Sequence, residues 1–334
     1  MAAMSDLAAP ILGAPANKPS KARAKVIRIA KRAAAVLTVV MALVAFWYAA
    51  VMPMNIHTAV TNAERAGAVI EPEGAGNRRD LGGVSLLMNN FEHAGATFNQ
   101  DRPRLPSPHQ VIAELWDTTV MKKVTSKRSL VYHGWVTLSA TLLGFGIGTV
   151  AGIFLAIGIV HNRAMDMSVM PWAIASQTIP ILAIAPMIIV VLNSVGLQGL
   201  IPKSMISAYL SFFPVVVGMV AGLRSPEVSQ LDLMHTYSAS KLQTFWRLRL
   251  PASMPFLFTS LKVGIAASLI GAIVGELPTG AVEGLGARLL AGSYYGQTIQ
   301  IWSALFGAAI LAASMVALIG WVQKLTLTRM GMTQ

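Results

Sequence analysis

The chain has 334 residues, 54% of them hydrophobic and only 12% charged, with a net charge of +12 and no cysteine. That composition belongs to a membrane protein and excludes an ordinary soluble domain. It also excludes a disulfide framework, a thiolate metal site and a cysteine nucleophile. The positive charge does not point to nucleic acid. Seven basic residues (Lys18, Lys21, Arg23, Lys25, Arg28, Lys31, Arg32) stand directly before the first apolar run, where an anionic leaflet attracts them.

Residues 1–32 read as a basic cytoplasmic arm. The apolar run Ala33–Met52, closed by Pro53, reaches the roughly 20 residues needed to cross the hydrocarbon. It is too long for the apolar core of a secretory signal, and no small-residue cleavage site follows it. Residues 33–53 are therefore expected to form an uncleaved first transmembrane helix.

Residues 54–130 read as an extracytoplasmic segment. From 62 to 104 the chain is rich in Gly, Asn, Arg and Glu without sustained periodicity, which predicts an irregular or partly disordered stretch. Beyond Leu105-Pro106-Ser107-Pro108, the residues Val111, Ile112, Leu115, Trp116 and Thr119 recur at helical spacing. They predict an amphipathic surface helix near 109–125. The segment holds nine basic and eight acidic residues, and Lys122, Lys123, Lys127 and Arg128 lie outside in this arrangement. Long loops translocate largely regardless of charge.

The core, residues 131–325, carries five further apolar segments at about 131–160, 168–195, 201–223, 255–275 and 299–322. The expected fold is an all-α membrane bundle of about six transmembrane helices. One set of short connections holds His161-Asn162-Arg163, the polar stretch 224–254, and Lys324 and Arg329, so both termini are expected inside.

In the second span Ala140, Gly144, Gly148, Gly152 and Ala156 recur every four residues, and Ala267, Gly271 and Gly275 repeat the device in the fifth. Small residues let helix backbones approach where lipid provides no hydrophobic drive, so Gly144, Gly148 and Gly152 are expected to pack against another helix. Gly144-Phe145-Gly146-Ile147-Gly148 is no dinucleotide loop, because it lies mid-span rather than after a strand.

Pro171, Pro180 and Pro186 interrupt the third span, where they free carbonyls to line a cavity or simply kink the helix for packing. Gln177, Thr178 and Asn193 on that span, and Glu276 at the end of the fifth, are the polar candidates for a translocation path. Bonding to neighbouring helices would equally account for Gln177 and Thr178.

No phosphate loop, HExxH, histidine pair or GxSxG occurs, so no catalytic, cofactor-binding or metal residue is expected. Ionisable residues inside the spans are almost confined to Lys262 and Glu276, which disfavours a proton-coupled carrier. No span carries an arginine series, which excludes voltage sensing. A self-contained secondary transporter or channel stays as the alternative, since Na⁺ sites built from carbonyls need no ionised group. A pure scaffold would not need the broken third span.

Residues 231–255 are amphipathic: Leu231, Met234, Tyr237, Phe245 and Leu248 fall on one face, Lys241, Arg247 and Arg249 on another. A single helix lying on the cytoplasmic surface is expected, stopped by Pro251 and Pro255.

This stretch resembles the EAA loop of binding-protein-dependent ABC importer permeases of type I, which reads Glu-Ala-Ala, three residues, Gly, nine residues, Ile-x-Leu-Pro. Asp232, Leu233 and Met234 stand at the Glu-Ala-Ala positions, Ser238 at the Gly, and Leu248, Leu250 and Pro251 fill the end with unbroken spacing. The departures are Asp for Glu, two larger residues for the alanines, and Ser for Gly. LPSP before the second span, ATLLGFGIGTVAGI, IPILAIAPMIIV and GAIVGELPTGAVEGLGARL are similar to the nitrate/sulfonate/taurine permease group, which includes permeases for thiamine-precursor pyrimidines. The resemblance spans about residues 105–325.

It implies a multi-pass subunit of the bacterial inner membrane that forms a path for a small solute and holds no cofactor. The implied partners are a cytoplasmic ABC ATPase dimer, a second permease subunit (the same or a homologous chain), an extracytoplasmic substrate-binding protein and the lipid membrane, with no nucleic acid. Within the loop, Asp232, Leu233, Met234, Tyr237, Ser238, Phe245, Leu248, Leu250 and Pro251 would couple the ATPase to the spans.

Overall fold

The computed structural model describes residues 21–278 and 282–332, without the side chains of residues 21–26 and 29, so most of the basic arm lies outside the described residues. Among the described residues every regular element is helical. In chain order these are α1 (Lys21–Arg65), α2 (Ala75–Arg79), α3 (Gly83–Asn89), α4 (Pro108–Trp116), α5 (Leu130–His161), α6 (Arg163–Ser176), α7 (Ile181–Ser194) and α8 (Leu200–Leu223). They are followed by α9 (Val228–Thr236), α10 (Lys241–Thr244), α11 (Leu250–Glu276), α12 (Leu285–Tyr295) and α13 (Thr298–Arg329). α1, α5, α8, α11 and α13 are each long and apolar enough to span. α6 and α7 make a sixth crossing only as a pair bent by 101°.

α8 is the centre of the bundle, packed between α5 and α11. Its close approach to both depends on glycines. A Cβ on Gly144 would meet Ser207, one on Gly148 the Ala208 carbonyl, and one on Gly152 Val215, so these three residues of α5 back directly onto α8. On the other side a Cβ on Gly271 of α11 would lie 2.7 Å from the Cα of Ser207. Where the three helices meet, Ser207 Oγ donates to the Ser268 carbonyl (2.6 Å) and Ser268 Oγ to the Thr141 carbonyl (2.9 Å). Hydroxyls returned to helix carbonyls in this way satisfy polar groups in a lipid-excluded core.

Four expectations need correction. Pro53 does not close the first helix, which runs on to Arg65. Proline removes one helical hydrogen bond, but packing outweighs that loss, because Val51, Ile56, Ala59 and Val60 are all buried just around it.

Nor is the stretch 62–104 irregular. Residues 54–104 fold as a small cap in which Ile56, Ala59 and Val60 of α1 pack with Ile70 and Leu86. Asn55, fully buried, donates from Nδ2 to the carbonyls of Thr97 (3.0 Å) and Leu105 (2.8 Å) and accepts at Oδ1 from the amides of Arg104 (2.9 Å) and Leu105 (3.1 Å). One side chain thus supplies the backbone partners that a loop without secondary structure would otherwise lack. Arg78 pairs with Glu64 across the same cap.

The surface helix after it is shorter than expected. α4 ends at Trp116, followed by one wide turn over Asp117–Met121. Ile112 and Trp116 stay exposed on it while Val111 is buried.

The fourth correction concerns the loop after α8. It is two short helices rather than one, and Pro251 and Pro255 stop nothing. Pro251 follows directly on the wide helical turn Phe245–Arg249, and Pro255 lies within the helix. From Lys241 to Glu276 the chain is helical throughout.

Candidate functional site

The loop between α8 and α11 is built around a tight joint. α9 ends at Thr236, α10 begins at Lys241 with Ser240 Oγ accepting from the Gln243 amide (3.2 Å), and Ser238 between them has φ of 54°. That left-handed conformation is the one glycine adopts without cost, which explains why the family pattern has glycine at this position.

α9 buries none of its residues. Leu233 is 56% exposed, Tyr237 77%, Leu242 67% and Trp246 59%. Asp232 is exposed too, Met234 half-buried, and Leu248, Leu250 and Pro251 are half-buried where the loop enters α11.

Phe245 departs from its expected place on the outer stripe. It is buried in the apolar cluster formed by Ala156 and Ile159 of α5 and Val216, Met219, Val220 and Leu223 of α8. The wide turn Phe245–Arg249 shifts the helical register, which swings this ring inward and leaves Trp246 outside. Arg249 Nη1 donates to the Leu223 carbonyl (3.0 Å), tying the two ends of the loop together. Arg224 pairs with Asp166 of α6 at 2.9 Å.

Directly above the loop, the halves of α8 and α11 nearest to it wall an open groove of about 700 Å³. Ile174, Gln177, Pro214, Val217, Phe256 and Thr259 are among its lining residues, and none of the residues lining it is charged. Gly218 and Gly222 set its width, since a Cβ on either would strike Ser260 or Phe256 and Ser253.

Of the sequence candidates for a path, the groove takes only Gln177. Thr178 turns its hydroxyl back to the Ala175 carbonyl (2.7 Å), and Asn193 is exposed at the far end of α7. Pro214, Phe256 and Thr259, which line the groove, were not among those candidates. The signal available was a pair of prolines, Pro214 and Pro255, within two spans that flank one loop.

Glu276 is not in the groove either. It is fully buried at the opposite end of the bundle, where its carboxylate accepts from Thr137 Oγ1 (2.9 Å) and from the Gly286 amide (2.7 Å). Thr137 Oγ1 in turn accepts from the Leu285 amide (2.8 Å), and His133 Nδ1 from the Gly284 amide (3.0 Å). The opening amides of α12 are therefore capped by side chains of α5 and α11, with an acidic group at the positive end of the helix. Gly284 has φ of 118°, and a Cβ there would overlap the Glu276 carboxylate. Just before it, hydrogen bonds from Tyr132 and Lys127 hold the Glu283 carboxyl below the usual carboxylate range.

The model of a family described as binding-protein-dependent transport system inner membrane component matches residues 148–331, which include the loop, the groove helices and α13. The chain belongs to that family. A formylaminopyrimidine transport permease protein of Halalkalibacterium halodurans is 34% identical over 183 residues, 54% of this chain and 68% of that protein. A riboflavin transport system permease protein of Chloroflexus aurantiacus is 30% identical over 242 residues, 72% and 86% of the two chains. A nitrate import permease protein of Synechocystis is 25% identical over 219 residues, 64% and 73%. The protein is the transmembrane permease subunit of an ABC importer, a multi-pass protein of the bacterial inner membrane. It is a transport subunit and not an enzyme, and its family implies an ATPase and a substrate-binding protein as partners.

Proposed function

We propose that this permease moves a small uncharged nitrogen heterocycle through the groove between α8 and α11, and that the loop joining those helices takes up the stroke of the ATPase. The observation that carries the substrate reading is the uncharged lining of the groove. Nitrate and sulfonates are best held by cationic partners once stripped of water, and no cationic residue lines the groove. Phe256 offers a ring face, while Gln177 and Thr259 offer both donors and acceptors, which suits a flat polar heterocycle. The pyrimidine and riboflavin permeases among the relatives are also more similar in sequence than the nitrate permease.

The coupling reading rests on the exposed Leu233, Tyr237, Leu242 and Trp246, an apolar set that a partner's groove would cover. Phe245 and the Arg249–Leu223 bond fix this loop to α5 and α8, so a push on α9 carries both walls of the groove as one body. The groove is open along one side, and a second permease subunit, identical or homologous, would close it. By the charge of the short connections, the loop and both termini lie in the cytoplasm and the cap on residues 54–104 outside.

Uptake into proteoliposomes holding this chain with its ATPase and binding protein tests the substrate reading. Labelled formylaminopyrimidine or a related heterocycle should accumulate, and Gln177→Leu should lower uptake while ATP-dependent assembly persists. Uptake of nitrate or taurine with none of the heterocycle would sink it.

A further inference from the structure

On the loop side of the bundle, α11 and α13 enclose a second cleft, of about 450 Å³, whose polar lining is Lys262, Gln323, Lys324 and Thr328 over a floor of Gly320 and Leu327. Lys262 is the one charge in α11 between Arg249 and Glu276, so an ammonium group stands in an otherwise apolar span. Neither Lys262 nor Lys324 joins an ion pair among the described residues, and no carboxylate lines the cleft.

The depth of the cleft follows from α13. That helix carries no charge from Thr298 to Gln323, and Gly320 lies about 33 Å along it from Thr298 at 1.5 Å per residue. The hydrocarbon core is about 30 Å thick, which puts Gly320 at its boundary. Trp321, 64% exposed beside it, marks the same level, since indole rings favour the headgroup region. The Lys262 chain lies against Gly320, so its stem runs along α13 and its ammonium reaches the boundary.

We propose that this cleft is a binding site for the phosphate of an anionic phospholipid in the leaflet on the loop side. Two ammonium groups, an amide and a hydroxyl converge there at headgroup depth, with no acidic side chain to neutralise them. Acyl chains can lie along the exposed Leu318, Trp321 and Leu325 of α13. The site joins α11, which is continuous with the loop, to α13, and so lies outside the groove and its coupling contacts.

The test is lipid retention by the purified full chain, read by native mass spectrometry and by partition of a spin-labelled phosphatidylglycerol. The comparison uses vesicles of phosphatidylcholine alone and of phosphatidylcholine doped with phosphatidylglycerol. Wild type should prefer phosphatidylglycerol, and Lys262→Gln with Lys324→Gln should weaken that preference at least about tenfold. Lys262→Arg with Lys324→Arg should keep it, which separates lost charge from lost fold. Inorganic phosphate should not displace the lipid. Equal retention of both lipids by wild type, an unchanged preference in the double Gln variant, or displacement by inorganic phosphate would each overturn the assignment.

Discussion

The ring of Phe245 meets that of His161 edge-on, with centroids 5.5 Å apart and planes at 66°. The contact locks the loop between α8 and α11 onto the end of α5, and it separates two kinds of aromatic residue in that loop. Phe245→Ala should cost about 3–5 kcal/mol of stability, because it empties a buried site shared by three helices. Tyr237→Asp, at an exposed position, should change stability by no more than about 0.5 kcal/mol. Yet it should abolish co-purification with the ATPase. Thermal unfolding in detergent and an affinity pull-down distinguish the two; an intact ATPase complex with Tyr237→Asp would remove this residue from the coupling surface.

The glycine seam offers a paired comparison on one helix. Gly148→Ala drives a methyl group into the Ala208 carbonyl and Ser211, and should destabilise the bundle by about 1–3 kcal/mol. Gly146→Ala, with nothing within 4 Å of its new carbon, should be neutral or stabilise slightly. Equal melting temperatures for the two variants would show that α5 does not press on α8.

At the other end of the bundle, Glu276→Ala should leave the Gly286 amide and the Thr137 hydroxyl without their shared acceptor, at about 1–3 kcal/mol each. Glu276→Gln keeps one carbonyl oxygen there and should retain most of the stability. Hydrogen exchange at Gly284–Gly286 reads this directly: fast exchange in the Ala variant alone is the expected result.

For the cap over residues 54–104, Asn55→Leu has nearly the same volume but none of the four hydrogen bonds to Thr97, Arg104 and Leu105. Limited proteolysis should then cut between residues 66 and 105 while the spans stay protected. Resistance equal to wild type would mean that the apolar packing of Ile56 and Leu86 suffices.

What was legible in the sequence was whatever depends on local pattern. The apolar runs 131–160 and 201–223 coincide with α5 and α8, whereas α13 continues seven residues past the run 299–322, and the four-residue repeat of glycines lies on the face of α5 that meets α8. The features missed all depend on partners remote in sequence. Pro53 looks like a stop until Ile56 and Leu86 are seen packed beside the continuing helix. Phe245 and Trp246 are indistinguishable by composition, and only a widened helical turn decides which goes inside. Glu276, a polar residue at the end of a span, fits a path as well as it fits a helix cap until Gly286 and Thr137 are found against it. Ser238 was legible only through the family pattern, whose glycine marks the left-handed joint that serine here adopts.

The 101° bend between α6 and α7 has a consequence for how the molecule can exist in a bilayer. Tyr209, midway along α8, donates its hydroxyl to the Ser176 carbonyl (2.7 Å), which places the break at mid-depth. Gln177 to Pro180 are all exposed on the single chain; the amides of Gln177, Thr178 and Ile179 are bonded within the turn, but the carbonyls of Gln177 to Ile179 would face acyl chains that offer no hydrogen bond. A solitary copy would have to draw water into the membrane at that point or be covered by another protein surface. The break therefore makes the bare chain a poor guest for lipid, since its tenancy there requires either water or a covering surface at that depth.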